Sequence, residues 1–153
     1  MYEYSIYWIE KEVAKNYFHK SDILLRFLKE YEAEPDRNDL KSQYTYIARD
    51  IQYHEIISHL NNRTEKNITI YTVGQAIYIR RKDQSIRLQV ENGLLNFQCH
   101  HLQEAVLILF PMLQDIHPFL FVKGRNVSNY GWISPIIQQK NIHKVRQVLY
   151  SYH

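Results

Sequence analysis

Apolar residues recur at helical spacing through roughly the first sixty positions and alternate at strand spacing after that. The chain opens on a short apolar strand, Tyr4 to Ile9, which runs almost without a turn into a helix from Glu10 to Phe18. That helix carries two adjacent apolar pairs, Val13/Tyr17 and Ala14/Phe18, each four residues apart and each on its own line of the surface. A helix lying on a sheet needs one such line for its core. The other is left for solvent or a partner, and an exposed Val beside an exposed Tyr is a contact patch.

Ser21-Asp22 caps a second helix, Ile23 to Tyr31, with a wide apolar stripe, and Glu34-Pro35-Asp36 stops it. A third helix is expected from about Asn38 to His59. Leu40, Tyr44, Ile47, Ile51 and His54 recur at spacings of three and four and define its core face. Tyr46, Asp50 and Tyr53 repeat on a different line, with Tyr53 roughly 200° around the axis from Ile51. This second line either packs on a neighbouring helix or forms a docking surface.

The second half is β-rich. Strands are expected over Ile68 to Val73 (a helical turn is the alternative there), Ala76 to Lys82, Ile86 to Val90 and Leu94 to Cys99. Asn92-Gly93 between two alternating runs is a strong hairpin signal. Leu102 to Leu113 is apolar on nearly every side, the pattern of a helix buried between layers, and Pro111 predicts a kink or early stop. Pro118 to Val122 reads as a buried strand, Tyr130 to Pro135 follows a polar loop, and Ile136 to His153 can form a last helix.

These elements predict one α+β domain over residues 1–153, with a central antiparallel or mixed β-sheet flanked by helices. The first strand and the Pro118 strand belong in its middle, because both are apolar on two faces. A length of 153 residues, 45% hydrophobic and 23% charged, suits a chain that buries a real core. No run of about eighteen apolar residues and no basic-then-apolar start occurs, so neither a membrane span nor a secretory signal is expected and the protein is placed in the cytoplasm. The single cysteine, Cys99, excludes an intrachain disulfide.

The net charge of +3 conceals an asymmetry: residues 1–60 hold 8 Lys/Arg against 11 Asp/Glu, and residues 61–153 hold 11 against 5. The basic half could serve a small nucleic-acid-binding module through Arg80, Arg81, Lys82, Arg87 and Lys123, or form a solvated face. Eight of the 13 tyrosines lie within the first 53 residues. Tyrosine joins a large apolar face to a polar tip, so this enrichment fits either docking on another protein or a core of half-buried rings.

Catalytic signatures are missing. Four glycines cannot assemble a phosphate-cradling loop. Cys99-His100-His101 matches no standard zinc spacing, though His54 or His59 could join it in space, and neighbours on a strand point to opposite faces, so adjacency gives Cys99 no general base. The cluster reads as a buried Cys99 followed by histidines that cap the Leu102 helix. No metal, cofactor or small-molecule substrate is expected, and a binding protein is favoured over an enzyme.

Four blocks carry a resemblance: Tyr7 to Phe18, Ile51-Gln52-Tyr53, Glu91-Asn92-Gly93 and Asn129 to Pro135. In this order and at these separations the chain resembles the sporulation inhibitor of replication (SirA) family of endospore-forming bacteria. The resemblance implies a cytoplasmic, non-enzymatic protein that binds the N-terminal domain of the replication initiator DnaA during sporulation, without contacting nucleic acid or membrane. It places the contact surface at Val13, Tyr17, Asp50 and Tyr53, where Val13 stands for an expected Phe and Asp50 for an expected Gln. Periodicity marks the same two lines independently and adds Tyr46.

Overall fold

The computed structural model describes residues 1–63, 67–133 and, for the backbone, 148–151. In chain order the elements are β1 (Tyr2–Ile9), α1 (Lys11–Tyr17), α2 (Ser21–Ala33), α3 (Asn38–Ile47), β2 (Ala48–Arg49) and α4 (Tyr53–Asn61). Then come β3 (Thr69–Val73), β4 (Ala76–Arg81), β5 (Gln84–Glu91), β6 (Leu94–Cys99), a helix α5, β7 (Leu120–Gly124), β8 (Asn129–Trp132) and β9 (Val148–Ser151). Helix α5 is α-helical at Leu102–Glu104, π-helical at Ala105–Leu109 and α-helical again at Phe110–Gln114.

The strands form one sheet in the order β3-β4-β5-β6-β1-β7-β8-β9, every pairing antiparallel, with β2 paired to β1. Strand β1 is paired on both edges: β6 along Tyr2 to Ile6 and β7 along Tyr4 to Trp8. Beyond the end of β6, β2 takes over that edge at Trp8 and Ile9. The two strands expected in the middle are therefore adjacent there.

Alternation along β1 divides the core in two. Tyr4 and Ile6 face a layer made by α4 and α5, where Ile56, Leu60, Leu109 and Phe110 are buried. Tyr7 and Ile9 face α1 and α2, where Ala14, Phe18, Leu24 and Leu28 close over Phe121 and Trp132. Hairpin turns follow residue chemistry: Asn92 and Gly93 take φ of 54° and 77°, the left-handed pair that a two-residue turn requires. Glu104 accepts the backbone N–H groups of His100 (3.1 Å) and His101 (3.0 Å), so that α5 starts with His101 at the N-cap position but with Glu104, not a histidine side chain, making these bonds.

Three expectations are corrected. The third helix does not run on to His59: it ends at Ile47, and Ala48–Arg49 becomes a strand because β1 has an unpaired edge there. Helix α5 is not buried on all sides, since Leu107 is 53% exposed. Pro111, expected to kink the helix or stop it early, lies near its end at Gln114; without an N–H, proline cannot bond back four residues, and the wide π turn just before it absorbs the misfit. In the expected final helix, Val148–Ser151 is instead a strand pairing with β8. The rest of that segment, residues 136–147 and 152–153, lies outside the described residues.

Candidate partner-docking site

Helices α1 and α3 both start from β1 or return to it, and this fixes the gap between them. Helix α1 follows β1 through the single extended residue Glu10, whose N–H donates to the carbonyl of Ile47 at the end of α3 (2.7 Å). Arg49 Nε donates to Glu10 Oε2 (2.7 Å), and that hydrogen bond holds the Glu10 carboxyl below the ordinary glutamate range. On the far side α3 is tied to α2, where Tyr31 and Tyr44 stack at 4.3 Å. Burial pushes the Tyr44 hydroxyl well above the usual tyrosine range.

Between these anchors lies an open groove of about 550 Å³, lined by Glu12, Val13, Asn16 and Tyr17 from α1 and by Ser42, Gln43, Tyr46 and Ile47 from α3. Tyr46 stands 77% exposed on one wall, and Tyr17 is half-buried on the other. Val13 is only 7% exposed and forms the apolar floor, so it is not the exposed Val of the expected patch: of the Val13/Tyr17 line, only Tyr17 is part-exposed. Val13, Tyr17 and Tyr46 are thus brought together.

Asp50 and Tyr53 are placed elsewhere. Because residues 48–52 are not helical, Tyr46, Asp50 and Tyr53 share no helical line. Asp50 is exposed and lies against the β5–β6 turn, where the Ile51 N–H donates to the Gly93 carbonyl (2.9 Å). Tyr53 opens α4 and packs, half-buried, on the opposite core layer from Tyr17. Arg49 bonds Glu10 and stands 6.0 Å over the Trp8 ring. The groove residues Ser42, Gln43 and Asn16 escaped the sequence reading; each lies one helical turn from Tyr46 or Val13, which was the available signal.

Other chemistry is poorly supported by the geometry. Cys99 is fully buried, and desolvation pushes its thiol up to about 12. Among the described residues no group of three or more His, Cys, Asp or Glu side chains could hold a metal ion. Of the basic residues, Arg80, Arg81, Lys82 and Arg87 lie along β4, β5 and their turn, with Arg87 Nε donating to the Tyr78 hydroxyl (3.3 Å), whereas Lys123 is set apart and buried, with Nζ 2.9 Å from Glu32 Oε2.

The chain thus combines an antiparallel α+β fold with an aromatic-walled groove between α1 and α3. A model of the family described as sporulation inhibitor of replication protein SirA matches residues 2–137, and the chain belongs to that family. No curated protein matches the chain. The family's description is that of an inhibitor of replication in sporulation. Among the described residues no helix is long and apolar enough to cross a membrane.

Proposed function

We propose that the chain inhibits chromosome replication by docking the N-terminal domain of the initiator DnaA against α1, α3 and the segment that follows α3. The observation that carries this reading is the convergence of Tyr17 and Tyr46 on one groove floored by Val13. An exposed aromatic ring beside an apolar floor is the arrangement that anchors protein interfaces. Asp50 and Tyr53, in the segment that follows β2, supply a second contact region. A bound domain would occlude the surface that the initiator uses for self-association or for its loading partners, so inhibition is steric and needs no cofactor or substrate. The protein acts as one domain in the cytoplasm and makes no direct contact with DNA.

Calorimetric titration with the isolated N-terminal domain of DnaA tests the reading, with duplex DNA titrated in parallel. The reading predicts saturable one-to-one binding of the domain that changes little between low and moderate salt. It fails if the domain does not bind while DNA does, with the steep salt dependence of phosphate contacts.

A further inference from the structure

The sheet ends at β3, and no described strand pairs with its outer edge. The β3–β4 loop is the two-residue turn Gly74-Gln75, closed by the pair Val73↔Ala76. In such a hairpin the closing pair exchanges hydrogen bonds, and bonding alternates from there. Tyr71 and Thr69 therefore bond inward to Tyr78 and Arg80, and the N–H and C=O groups of Ile70 and Thr72 point outward.

Edge strands are normally blunted by charge, proline or a bulge. Strand β3 reads Thr-Ile-Tyr-Thr-Val, without charge or proline, and pairs with β4 without interruption in register. Tyr71 is 40% exposed and Val73 62% exposed. The edge is also self-complementary. A two-fold axis at Tyr71 brings Ile70 opposite Thr72 of a second copy, so that the outward groups of both residues are satisfied in both copies. It also sets Tyr71 beside its symmetry mate as a close, non-hydrogen-bonded pair. Tyr71 already stacks on Tyr78 (5.1 Å, 8°), so four rings would line one face of the junction. Thr69 would meet Val73, and no like charges would be opposed.

We propose that β3 is a homodimerisation edge through which two copies join their sheets in antiparallel register about Tyr71. The edge lies four strand spacings from β1, about 19 Å, so pairing there leaves the α1/α3 groove free. If the groove docks a partner, the dimer presents two grooves and gains avidity toward a partner that carries two linked copies of the docked surface; the dimer itself does not rest on that reading.

Sedimentation equilibrium over a concentration series tests it on the full chain, beside Thr72→Lys and Thr72→Pro. Position 72 donates outward, so neither change removes a β3–β4 bond, and Thr72→Lys serves if the proline variant does not fold. The wild-type weight-average mass should rise from 18.6 kDa toward twice that value, while each folded variant stays at the monomer mass with an unchanged circular dichroism spectrum. A wild-type chain that remains monomeric at its highest soluble concentration, or a Thr72→Lys variant that dimerises equally well, overturns the proposal.

Discussion

Asp50 occupies the space in front of Gly93: a Cβ built on Gly93 would stand 3.2 Å from the Cβ of Asp50 and closer still to its carboxylate. Gly93 also holds φ +77°, which side chains rarely adopt. Gly93→Ala should cost about 1 to 2 kcal/mol through left-handed strain. It should also push Asp50 off the β5–β6 turn. Urea unfolding of the variant measures the first effect; its affinity for the initiator domain, compared with that of Asp50→Ala, measures the second.

Glu32 is a shared acceptor. Its carboxylate takes the Tyr7 hydroxyl on one oxygen and the Lys123 ammonium on the other. Both donors are deeply buried, and burial together with the neighbouring Glu32 charge drives the Tyr7 hydroxyl far above the ordinary tyrosine range. Glu32→Ala leaves the Tyr7 hydroxyl unpaired and the Lys123 ammonium with only the Gly124 carbonyl (3.5 Å), and should destabilise the fold by about 2 kcal/mol. Adding Lys123→Met removes the stranded ammonium and should recover part of the loss. A double-mutant cycle in urea reads the coupling.

His117 stacks on Trp8, with ring centroids 3.6 Å apart, and lies 3.8 Å from a Glu55 carboxylate oxygen. Burial holds its pKa below the ordinary 6.5, against the opposing pull of Glu55. The unfolded chain therefore binds the proton more readily. This contribution to stability is intact above pH 6.5 and is lost as the pH falls through the depressed folded value. Urea midpoints should drop between neutral and mildly acidic pH, and His117→Phe, which keeps the stack and removes the titration, should flatten that slope. An equal slope in both proteins contradicts the assignment.

Much of the architecture was readable from local chemistry. Gly74, Asn92 and Gly93 dictate turns, and the alternation between them leaves little choice of register, so β3 to β6 follow. The two-faced apolar runs of β1 and β7 place them side by side in the middle. The break after Ile47 was hidden because Leu40, Tyr44, Ile47 and Ile51 continue the helical spacing without a Gly or Pro. What ends α3 is remote in sequence, the open edge of Trp8 and Ile9 beyond β6.

The candidate groove was half readable for the same reason. Val13, Tyr17 and Tyr46 converge because each sits on an intact helix, where spacing predicts facing. Asp50 and Tyr53 lie past the break, so helical spacing could not place them. The burial of Val13 depends on packing in the groove floor, including Ile47 from another helix, which the pattern within α1 does not record.

The most direct test of the account is the affinity of the isolated DnaA N-terminal domain for Tyr17→Ala and Tyr46→Ala compared with the intact chain. Each loss of an anchoring ring should weaken binding by about 2 kcal/mol or more, roughly thirtyfold. Because Tyr46 is 77% exposed, its variant should melt at the temperature of the parent. Unchanged affinity in both variants, with binding otherwise present, would place the interface away from the α1/α3 groove and contradict the account.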